Sequence, residues 1–512
     1  MNTIKLDDIF QAGMVLQRDR DFVIYGTATP RSIVRIQIGD SEYEAYSSER
    51  GDFACKIGAL SASRDLILRV RDGSSSLEIY PLHVGDVYLA GGQSNMEFFL
   101  KFDEDFDRIK AEAPNPDIHM YNVPQVAFEG HTSRSRYGYG QWMKAGDNGF
   151  ETFSAPAYSF ARFLQPEIGV PIGLIGCNWG GSTASAWVPE EVLEKEPLNN
   201  YFKEYEEAKP DISDEELRRL SLDAWAFEDS AKHGRDFEPL LYGRSRSFQL
   251  DYLREHAGEP VIPMGPYNMN RPCGLYHTML KPLTRYPIKG VLWYQGESDA
   301  GNRAWMYDQL LTGLIRDWRS EWGYDFPFIM VQLAPFGKWL ECGNEEYTVV
   351  RQMQQKVADE LNDTYMVSIM DLGSYYDIHP KTKMEVGRRM SLIARKYIYG
   401  ESSLLADAPR FIKGHLEGDR IVLQFDNADG LQIVSEKNDV VVMSTEPIPV
   451  LDIECKDDNL ILTIDTSVLT VSNAPSLTVS VGWADYAEIY IRNSSGLCMA
   501  PFKAEIQLTD NS

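Results

Sequence analysis

The sequence predicts an α/β protein in which a doubly wound parallel sheet is flanked by β-sandwich-like regions at both ends of the chain. In the middle of the chain, short apolar runs alternate with helical stretches, which is typical of a parallel sheet covered by helices. Both ends instead contain strand-like segments separated by Gly, Asp and Ser turns. With 512 residues the chain exceeds what one hydrophobic core organises, so we expect several domains.

The two β domains are predicted over residues 1–82 and residues 404–512. The N-terminal β domain has predicted strands at residues 23–26, 32–40 and 66–73. The C-terminal β domain has predicted strands at residues 420–425, 440–443 and 460–464. Apolar and polar side chains alternate along these segments, as they do in sheets with one buried face.

The central α/β domain is predicted over residues 83–403. Six apolar runs suit buried parallel strands, namely residues 87–91, 118–123, 172–177, 290–294, 326–333 and 365–370. Helices are predicted at residues 157–164, 306–318 and 381–399. Ligands bind beyond the carboxyl ends of the strands in such sheets, so the polar residues that follow these runs are the first candidates for a functional site.

A charged, helix-prone insertion interrupts the central domain at about residues 190–264. It contains acidic stretches at residues 204–207 and 214–216. One interpretation is a lid that shapes a substrate pocket, and the other is a solvated excursion without a role in the site.

The net charge and the cysteine spacing argue against several kinds of partner and cofactor. The chain has 50 basic and 76 acidic residues, and its formal net charge of −26 repels nucleic acid and anionic membranes. The six cysteines are widely spaced without a Cys-x-x-Cys pair, which argues against a zinc or iron–sulfur site and against a disulfide framework. They are Cys55, Cys177, Cys273, Cys342, Cys455 and Cys498. We therefore expect no metal and no other cofactor.

The start of the chain bears on its location. Residues 1–8 have no apolar segment typical of a signal peptide, and no later run reaches the length of a membrane span. The sequence thus predicts a cytoplasmic protein, although a trimmed secreted protein would begin in the same way. The oligomeric state, including a homo-oligomer, is left open.

The first candidate site follows the strand at residues 87–91. That strand ends in Gly91 and Gly92, and Ser94 then precedes a predicted helix. A serine hydroxyl at such a junction can attack a carbonyl, and its backbone N–H can stabilise the resulting oxyanion. A serine that only caps the helix is the alternative, and this stretch alone supports both equally.

Two further strand ends carry groups that suit an oxyanion site. The strand at residues 172–177 is followed by Gly180 and Gly181, and glycine lets a backbone N–H approach a ligand closely. A tight structural turn is the alternative there. The strand at residues 290–294 is followed by Gln295, whose side chain can donate an N–H, and by Glu297, which is better suited to orienting neighbouring groups.

The last strand end supplies a candidate base. His379 follows Asp377 just before the predicted helix at residues 381–399. Histidine titrates near neutral pH and is the usual base for a serine nucleophile. Ser94, Asp377 and His379 therefore form a workable acyl-transfer set, with Asp371 as an alternative acid. Ser94 is not in a Gly-x-Ser-x-Gly motif, which disfavours the usual α/β-hydrolase family.

These blocks, taken together, resemble the sialate O-acetylesterase family, a carbohydrate-acetylesterase branch of the SGNH/GDSL hydrolases. The four main blocks are GQSNM at 92–96, WGGS at 179–182, WYQGES at 293–298 and DIHP at 377–380. The resemblance extends to IF at 9–10, GMVLQ at 13–17, GLY at 274–276, WAD at 483–485 and PF at 501–502. It therefore covers nearly the whole chain and implies an SGNH-hydrolase-like central fold.

The resemblance also implies roles for individual residues. Ser94 would be the nucleophile and His379 the base. The oxyanion hole would consist of the Ser94 N–H, the Gly181 N–H and the Gln295 side chain. The wider SGNH pattern usually has Asn where Gln295 stands, and its Asp lies three residues before the His rather than two. Either the Asp377 side chain or a backbone carbonyl would therefore orient His379.

The resulting hypothesis is a metal-independent serine esterase that removes O-acetyl groups from sugars, most readily the 9-O-acetyl group of sialate. Arg271 or Arg303 would suit the carboxylate of sialic acid. Acetylated xylan or mannan oligosaccharides are the competing substrates. A catalytically inactive carbohydrate-binding protein is the alternative from a different class.

Overall fold

The computed structural model describes residues 4–131, 138–234, 246–255, 258–339, 343, 345–471 and 476–507. The N-terminal strands are β1 (Lys5–Leu6), β2 (Val15–Gln17), β3 (Phe22–Thr27), β4 (Ile33–Ile38), β5 (Ser41–Tyr46), β6 (Asp52–Ile57), β7 (Ser63–Arg71) and β8 (Ser76–Gly92). Strands β1, β3 and β6 form one antiparallel sheet, and β5, β4, β7 and the first part of β8 form a second. Alternate residues of β4 are buried, as the sequence pattern predicts.

Strand β8 is unusually long and joins two parts of the protein. Its first part pairs antiparallel with β7, and its second part pairs in parallel with central strands on both sides. It therefore runs through the predicted boundary between residues 82 and 83. Because one strand belongs to both regions, the nucleophile block follows directly from a strand that is anchored in the N-terminal β region.

The central sheet contains all six predicted buried strands. Besides β8, these are β9 (Asn115–Asn122), β11 (Ile172–Asn178), β12 (Gly290–Tyr294), β13 (Phe328–Val331) and β14 (Thr364–Val367), and β10 (Trp142–Ala145) lies at the edge. The order is β10-β9-β11-β8-β12-β13-β14, parallel except for β10. The sheet is thus mixed, and the chain changes direction across it at β8.

Helices cover both faces of this sheet. The α-helices of the described residues are α1 (Ser94–Glu97), α2 (Phe106–Glu112), α3 (Ala155–Ile168), α4 (Glu190–Leu193), α5 (Asn200–Ala208), α6 (Asp214–Gly234), α7 (Arg246–Glu255), α8 (Tyr307–Trp322), α9 (Tyr347–Glu360) and α10 (Lys383–Ile393). Residues of α3 and α10 share a core with Tyr88 and Ala90, and residues of α8 and α9 share another with Val87 and Leu89. Alternate side chains of β8 therefore enter opposite helical layers, as a doubly wound sheet requires.

The predicted insertion is helical where the structure describes it. Helices α4 to α7 lie in it, whereas residues 235–245 and 256–257 fall outside the described residues. Among the described helices, none combines the length and hydropathy that a membrane crossing needs.

The C-terminal region is a two-sheet sandwich. Its strands are β15 (Arg410–Glu417), β16 (Arg420–Asp426), β17 (Gln432–Ile433), β18 (Val440–Met443), β19 (Pro447–Ile448), β20 (Val450–Lys456), β21 (Asn459–Ile464), β22 (Ser476–Val481), β23 (Ile491–Arg492) and β24 (Phe502–Gln507). The four-stranded sheets β15-β16-β21-β20 and β19-β18-β22-β24 enclose one core. Arg351 of α9 is buried and donates to the carbonyls of Ala484 and Asp485, which joins this sandwich to the central domain.

Candidate active site

Ser94 lies at the carboxyl end of the central strand of the sheet. Strand β8 ends at Gly92, whose φ is 137°, and Ser94 is the first residue of α1. A Cβ atom at Gly92 would stand 2.1 Å from the carbonyl oxygen of Tyr294 on β12, so only glycine fits this turn. The strand order reverses at β8, which makes this strand end the topological switch point where ligands bind in such sheets.

The structure brings Ser94 and His379 together across 285 residues of sequence. The Nε2 atom of His379 lies 2.9 Å from the Ser94 Oγ atom, which is hydrogen-bond distance. His379 is only 3% exposed, and the edge of its ring meets the Trp339 ring at a centroid distance of 5.2 Å. A serine hydroxyl and an imidazole in this arrangement can act as a nucleophile and its general base.

Asp377 is the acid beside His379. Its Oδ1 atom lies 3.8 Å from the His379 Nδ1 atom, beyond hydrogen-bond distance, and accepts the His379 backbone N–H at 2.9 Å. Burial raises the pKa of Asp377, while that N–H and the nearby Lys383 and Lys381 oppose the shift. The carboxylate thus orients the backbone at His379 and stands close enough to attract a charged imidazolium.

Asp371, the alternative acid, forms ion pairs with two arginines outside the Ser94–His379 pair. It forms a buried two-pronged ion pair with Arg389 of α10, with both oxygens at 2.8 Å, and a second ion pair with Arg492 of the C-terminal region at 2.7 Å. Its role in the structure is therefore to join α10 to the C-terminal sandwich.

The glycine loop after β11 packs directly against the nucleophile. A Cβ atom at Gly180 would lie 3.4 Å from the Ser94 Cβ atom and 3.1 Å from a carboxylate oxygen of Glu97. The Gly180 N–H donates to Glu97 at 2.6 Å. Within the described ranges, neither the Ser94 N–H nor the Gly181 N–H donates to a protein acceptor. Both donors of the predicted backbone oxyanion site are therefore without a protein acceptor, and Gly181 directly follows Gly180, which contacts Ser94.

Gln295 differs from its predicted role as an oxyanion donor. It is fully buried, and its Nε2 group donates to Asp299 at 2.6 Å and to Gln93 at 3.1 Å, while its Oε1 atom accepts from the Tyr307 hydroxyl at 2.8 Å. The amide has two N–H bonds, and both have protein acceptors. In this structure Gln295 braces the strand ends of β8 and β12 rather than presenting a donor to a ligand.

A buried cluster of Asn95, Glu297 and Lys383 connects the segments that carry Ser94 and His379. Asn95 donates to Glu297 and to the Ile378 carbonyl, the latter at 3.0 Å, and its own Oδ1 atom accepts from Lys383 at 2.6 Å. Asn95 therefore links the residue after Ser94 to the residue before His379. The predicted orienting role of Glu297 agrees with this position, because Glu297 holds Asn95.

Burial dominates the electrostatics of this cluster. It raises the pKa of Glu297, and Asn95 and Lys383 oppose the shift. It also lowers the pKa of Lys383 to about 7, against the attraction of Glu297, Asp377 and Asp103. Desolvation disfavours the charged forms of both Glu297 and Lys383, and the attraction between the two charges only partly opposes it.

Sequence reasoning missed four residues that organise this site, namely Asn95, Glu97, Asp299 and Lys383. Each lies within or close to one of the recognised blocks, at most four residues from Ser94, Gln295 or His379. Their roles depend on contacts between blocks, so their residue types alone carried no signal beyond this proximity.

Glu97→Gln should lower kcat about tenfold to a hundredfold while leaving the fold intact. The carboxylate holds the Gly180 N–H and also accepts from Gln125 Nε2 at 3.0 Å, so its loss removes charge-assisted hydrogen bonds worth about 1.5–3 kcal/mol. Steady-state kinetics beside thermal unfolding would check this. Unchanged kcat would show that the glycine loop keeps its position without Glu97.

The insertion packs against residues of the candidate site and is not a solvated excursion from the central domain. The Tyr201 hydroxyl donates to Asp299 at 2.7 Å, and Trp225 packs against Trp179 of the second block at a ring distance of 5.9 Å. This contact favours the interpretation in which the insertion shapes the pocket.

The two predicted arginines differ in their surroundings. Arg303 donates to Glu204 of the insertion at 2.6 Å. Arg271 is half-buried and follows Met269, whose methyl group would lie 3.7 Å from a Cβ atom at Gly181. Arg271 therefore lies in the segment that lines the glycine loop, whereas Arg303 is held by the insertion.

The cysteines and acidic residues form no metal site in the part of the chain that the structure describes. No group of three His, Cys, Asp or Glu side chains there has the arrangement of a metal site, and the five described cysteines are free. Cys342 lies outside the described residues.

Comparison with known proteins gives consistent matches. Residues 267–397, which include the third and fourth blocks, match the family model described as a carbohydrate esterase, sialic acid-specific acetylesterase. The chain is similar to the sialate O-acetylesterases of Rattus norvegicus, 24% identical over 360 residues, and Mus musculus, 26% identical over 361 residues. Each alignment covers 65% of this chain, and the chain spans about 60% of the length of these relatives.

The fold has a counterpart among solved structures. It is similar to a carbohydrate acetylesterase from Xanthomonas citri with a TM-score of 0.73 and 27% sequence identity, and the match covers 98% of this chain and 99% of the other. The similarity therefore extends over nearly the whole chain. Together the matches confirm the resemblance predicted from the four blocks: part of the chain matches the sialic acid-specific acetylesterase model, and the whole chain is similar to carbohydrate acetylesterases.

Proposed function

We propose that this protein is a metal-independent serine esterase that hydrolyses O-acetyl groups on sugars. The observation that carries the proposal is the 2.9 Å contact between Ser94 Oγ and His379 Nε2 at the switch point of the sheet. The free backbone N–H groups of Ser94 and Gly181 beside this contact support it, because an acyl-transfer site needs donors for the oxyanion. The order of the four blocks supports an SGNH-type assignment.

The proposed reaction has two halves. Ser94 Oγ attacks the acetyl carbonyl carbon, and its proton passes to His379 Nε2. The Ser94 and Gly181 N–H groups stabilise the oxyanion while Asp377 stabilises the imidazolium. The ester C–O bond then breaks, His379 protonates the departing sugar oxygen, and an acetyl-enzyme remains. In the second half, His379 takes a proton from water, whose oxygen attacks the acetyl carbon. The bond between the acetyl carbon and Ser94 Oγ then breaks, His379 returns the proton to Ser94 Oγ, and acetate leaves.

The proposed substrate is sialate carrying a 9-O-acetyl group. The names of the rat and mouse relatives support this choice. Arg271 is better placed than Arg303 to pair with a substrate carboxylate, because Arg303 is occupied by Glu204. Acetylated xylan or mannan oligosaccharides are the competing substrates, and the cytoplasmic location remains a prediction.

A substrate screen tests the proposal. Purified protein should release acetate from 9-O-acetyl sialate faster than from acetylated xylo- or manno-oligosaccharides, and it should also hydrolyse 4-nitrophenyl acetate. EDTA should leave all rates unchanged, since the proposed chemistry uses only side chains and backbone N–H groups. Binding of these sugars without acetate release would instead support a catalytically inactive binding protein. Loss of activity in EDTA that added metal restores would overturn the metal-independent mechanism.

A further inference from the structure

Three tyrosines form a continuous aromatic surface next to the candidate active site. Tyr375 and Tyr376 precede Asp377, and Tyr486 comes from the C-terminal region. The Tyr375 ring contacts the Tyr376 ring at a centroid distance of 4.7 Å and the Tyr486 ring at 4.9 Å. We call this surface the tyrosine rim.

The rim is held in place by the backbone of the neighbouring loop. The N–H groups of Gly337 and Lys338 both donate to the Tyr375 carbonyl, at 3.2 and 2.7 Å. A Cβ atom at Gly337 would lie 2.6 Å from the Tyr375 ring, so the loop and the ring are in close contact. The next residue of this loop, Trp339, contacts the His379 ring. The rim and the catalytic pair are therefore parts of one continuous packed unit.

Two of the three rim tyrosines have large exposed fractions. Tyr375 is 45% exposed and Tyr376 is 58% exposed. Single exposed aromatic side chains are common, but a contiguous group beside a site at the carboxyl ends of the strands is typical of a ligand surface. Tyrosine also combines an apolar ring with a hydroxyl, which matches a sugar ring with one C–H face and a hydroxyl edge.

The position of the rim identifies which sugar it suits. Tyr376 is three residues from His379, so their Cα atoms are at most about 11 Å apart. The acetyl carbon must lie at Ser94 Oγ. Trp339 contacts the His379 ring, and it directly follows Gly337 and Lys338, whose N–H groups donate to the Tyr375 carbonyl. The acetylated sugar would then lie next to His379 and Trp339, and the sugar linked to it would stack on the tyrosine rings of the rim.

We infer that the tyrosine rim is a subsite that stacks the sugar neighbouring the acetylated one, so that an acetylated oligosaccharide is a better substrate than the corresponding free monosaccharide. This inference rests on the proposed function. It also gives the C-terminal sandwich a part in substrate recognition through Tyr486.

The test compares substrates of different length in rim variants. The substrates are 9-O-acetylated sialyllactose with free 9-O-acetyl sialic acid, and monoacetylated xylotriose with monoacetylated xylose, each measured beside 4-nitrophenyl acetate. The variants are Tyr376→Ala and Tyr486→Ala, with Tyr376→Trp as the rescue. Tyr46→Ala is the matched control, because Tyr46 is 75% exposed on β5 of the N-terminal region.

The measured quantity is the ratio of kcat/KM for the sugar to kcat/KM for 4-nitrophenyl acetate. For the oligosaccharides, Tyr376→Ala should lower this ratio about tenfold, mainly through KM, since one lost aromatic contact is worth about 1.4 kcal/mol. Tyr486→Ala should lower the ratio in the same direction, and Tyr376→Trp should restore it. Tyr46→Ala should leave it unchanged, and the monosaccharide ratios should change less.

The outcomes separate the two proposals. Equal ratios for wild-type protein and both alanine variants on oligosaccharides would overturn the rim subsite and leave the esterase proposal standing. If wild-type protein has equal kcat/KM on an oligosaccharide and on its monosaccharide, the rim subsite is likewise overturned and the esterase proposal stands. Absence of acetate release from every substrate would overturn both.

Discussion

Ser94→Ala should lower kcat for acetate release by roughly four to six powers of ten, because the acetyl-enzyme can no longer form. The substitution deletes one oxygen atom at the end of β8, and the backbone N–H groups of Ser94 and Gly181 remain in place. The thermal unfolding temperature should therefore stay within a few degrees of the wild-type value. Acetate release in a coupled assay and a circular dichroism melt would check both statements.

The His379→Ala variant is the matched partner of this experiment. Since the two side chains act as one unit at 2.9 Å, its loss should be of similar size, and the double variant should lose little more than either single variant. Substantial acetate release by Ser94→Ala would contradict the assignment of the nucleophile. Additive losses in the double variant would show that Ser94 and His379 act independently.

Asp377→Asn should lower kcat about a hundredfold or more. The carboxylate stands 3.8 Å from Nδ1 in this structure, and such contacts tighten when the imidazolium forms in the transition state. The amide can still accept the His379 backbone N–H through its oxygen, so the loop should keep its position. The expected loss therefore reports the charge, and single-turnover kinetics would measure it. A loss near tenfold or less would indicate that a backbone carbonyl orients His379.

Asp371→Asn is the control for a buried aspartate that does not serve the reaction. Its carboxylate is fully buried between Arg389 and Arg492, so neutralising it should lower the free energy of unfolding by about 3–5 kcal/mol. The kcat of the molecules that remain folded should be unchanged. A mild effect of Asp377→Asn together with a severe loss of kcat in folded Asp371→Asn would show that Asp371 is the acid.

Most elements of the central sheet can be predicted from local patterns in the sequence. The six buried strands are predictable because each is a short apolar run bounded by turn residues, and helix α3 is longer than predicted only at its ends, where Ser154 caps it and Gly169 closes it. The length of β8 was not predictable. Its first part alternates and its second part is wholly buried, so the two parts have different periods although they form one strand.

The candidate site divides in the same way. The nucleophile and base candidates and the glycine loop are predictable from the sequence alone, because each is a residue type with its own chemistry at a strand end. The tertiary structure shows that Asp371 is held by Arg389 and Arg492. It also shows that Gln295 is held by Asp299 and Gln93, and that Tyr486 of the C-terminal region contacts Tyr375. Most of these contacts join segments far apart in the chain, so they depend on how the strands and domains pack, which a local sequence pattern does not reveal.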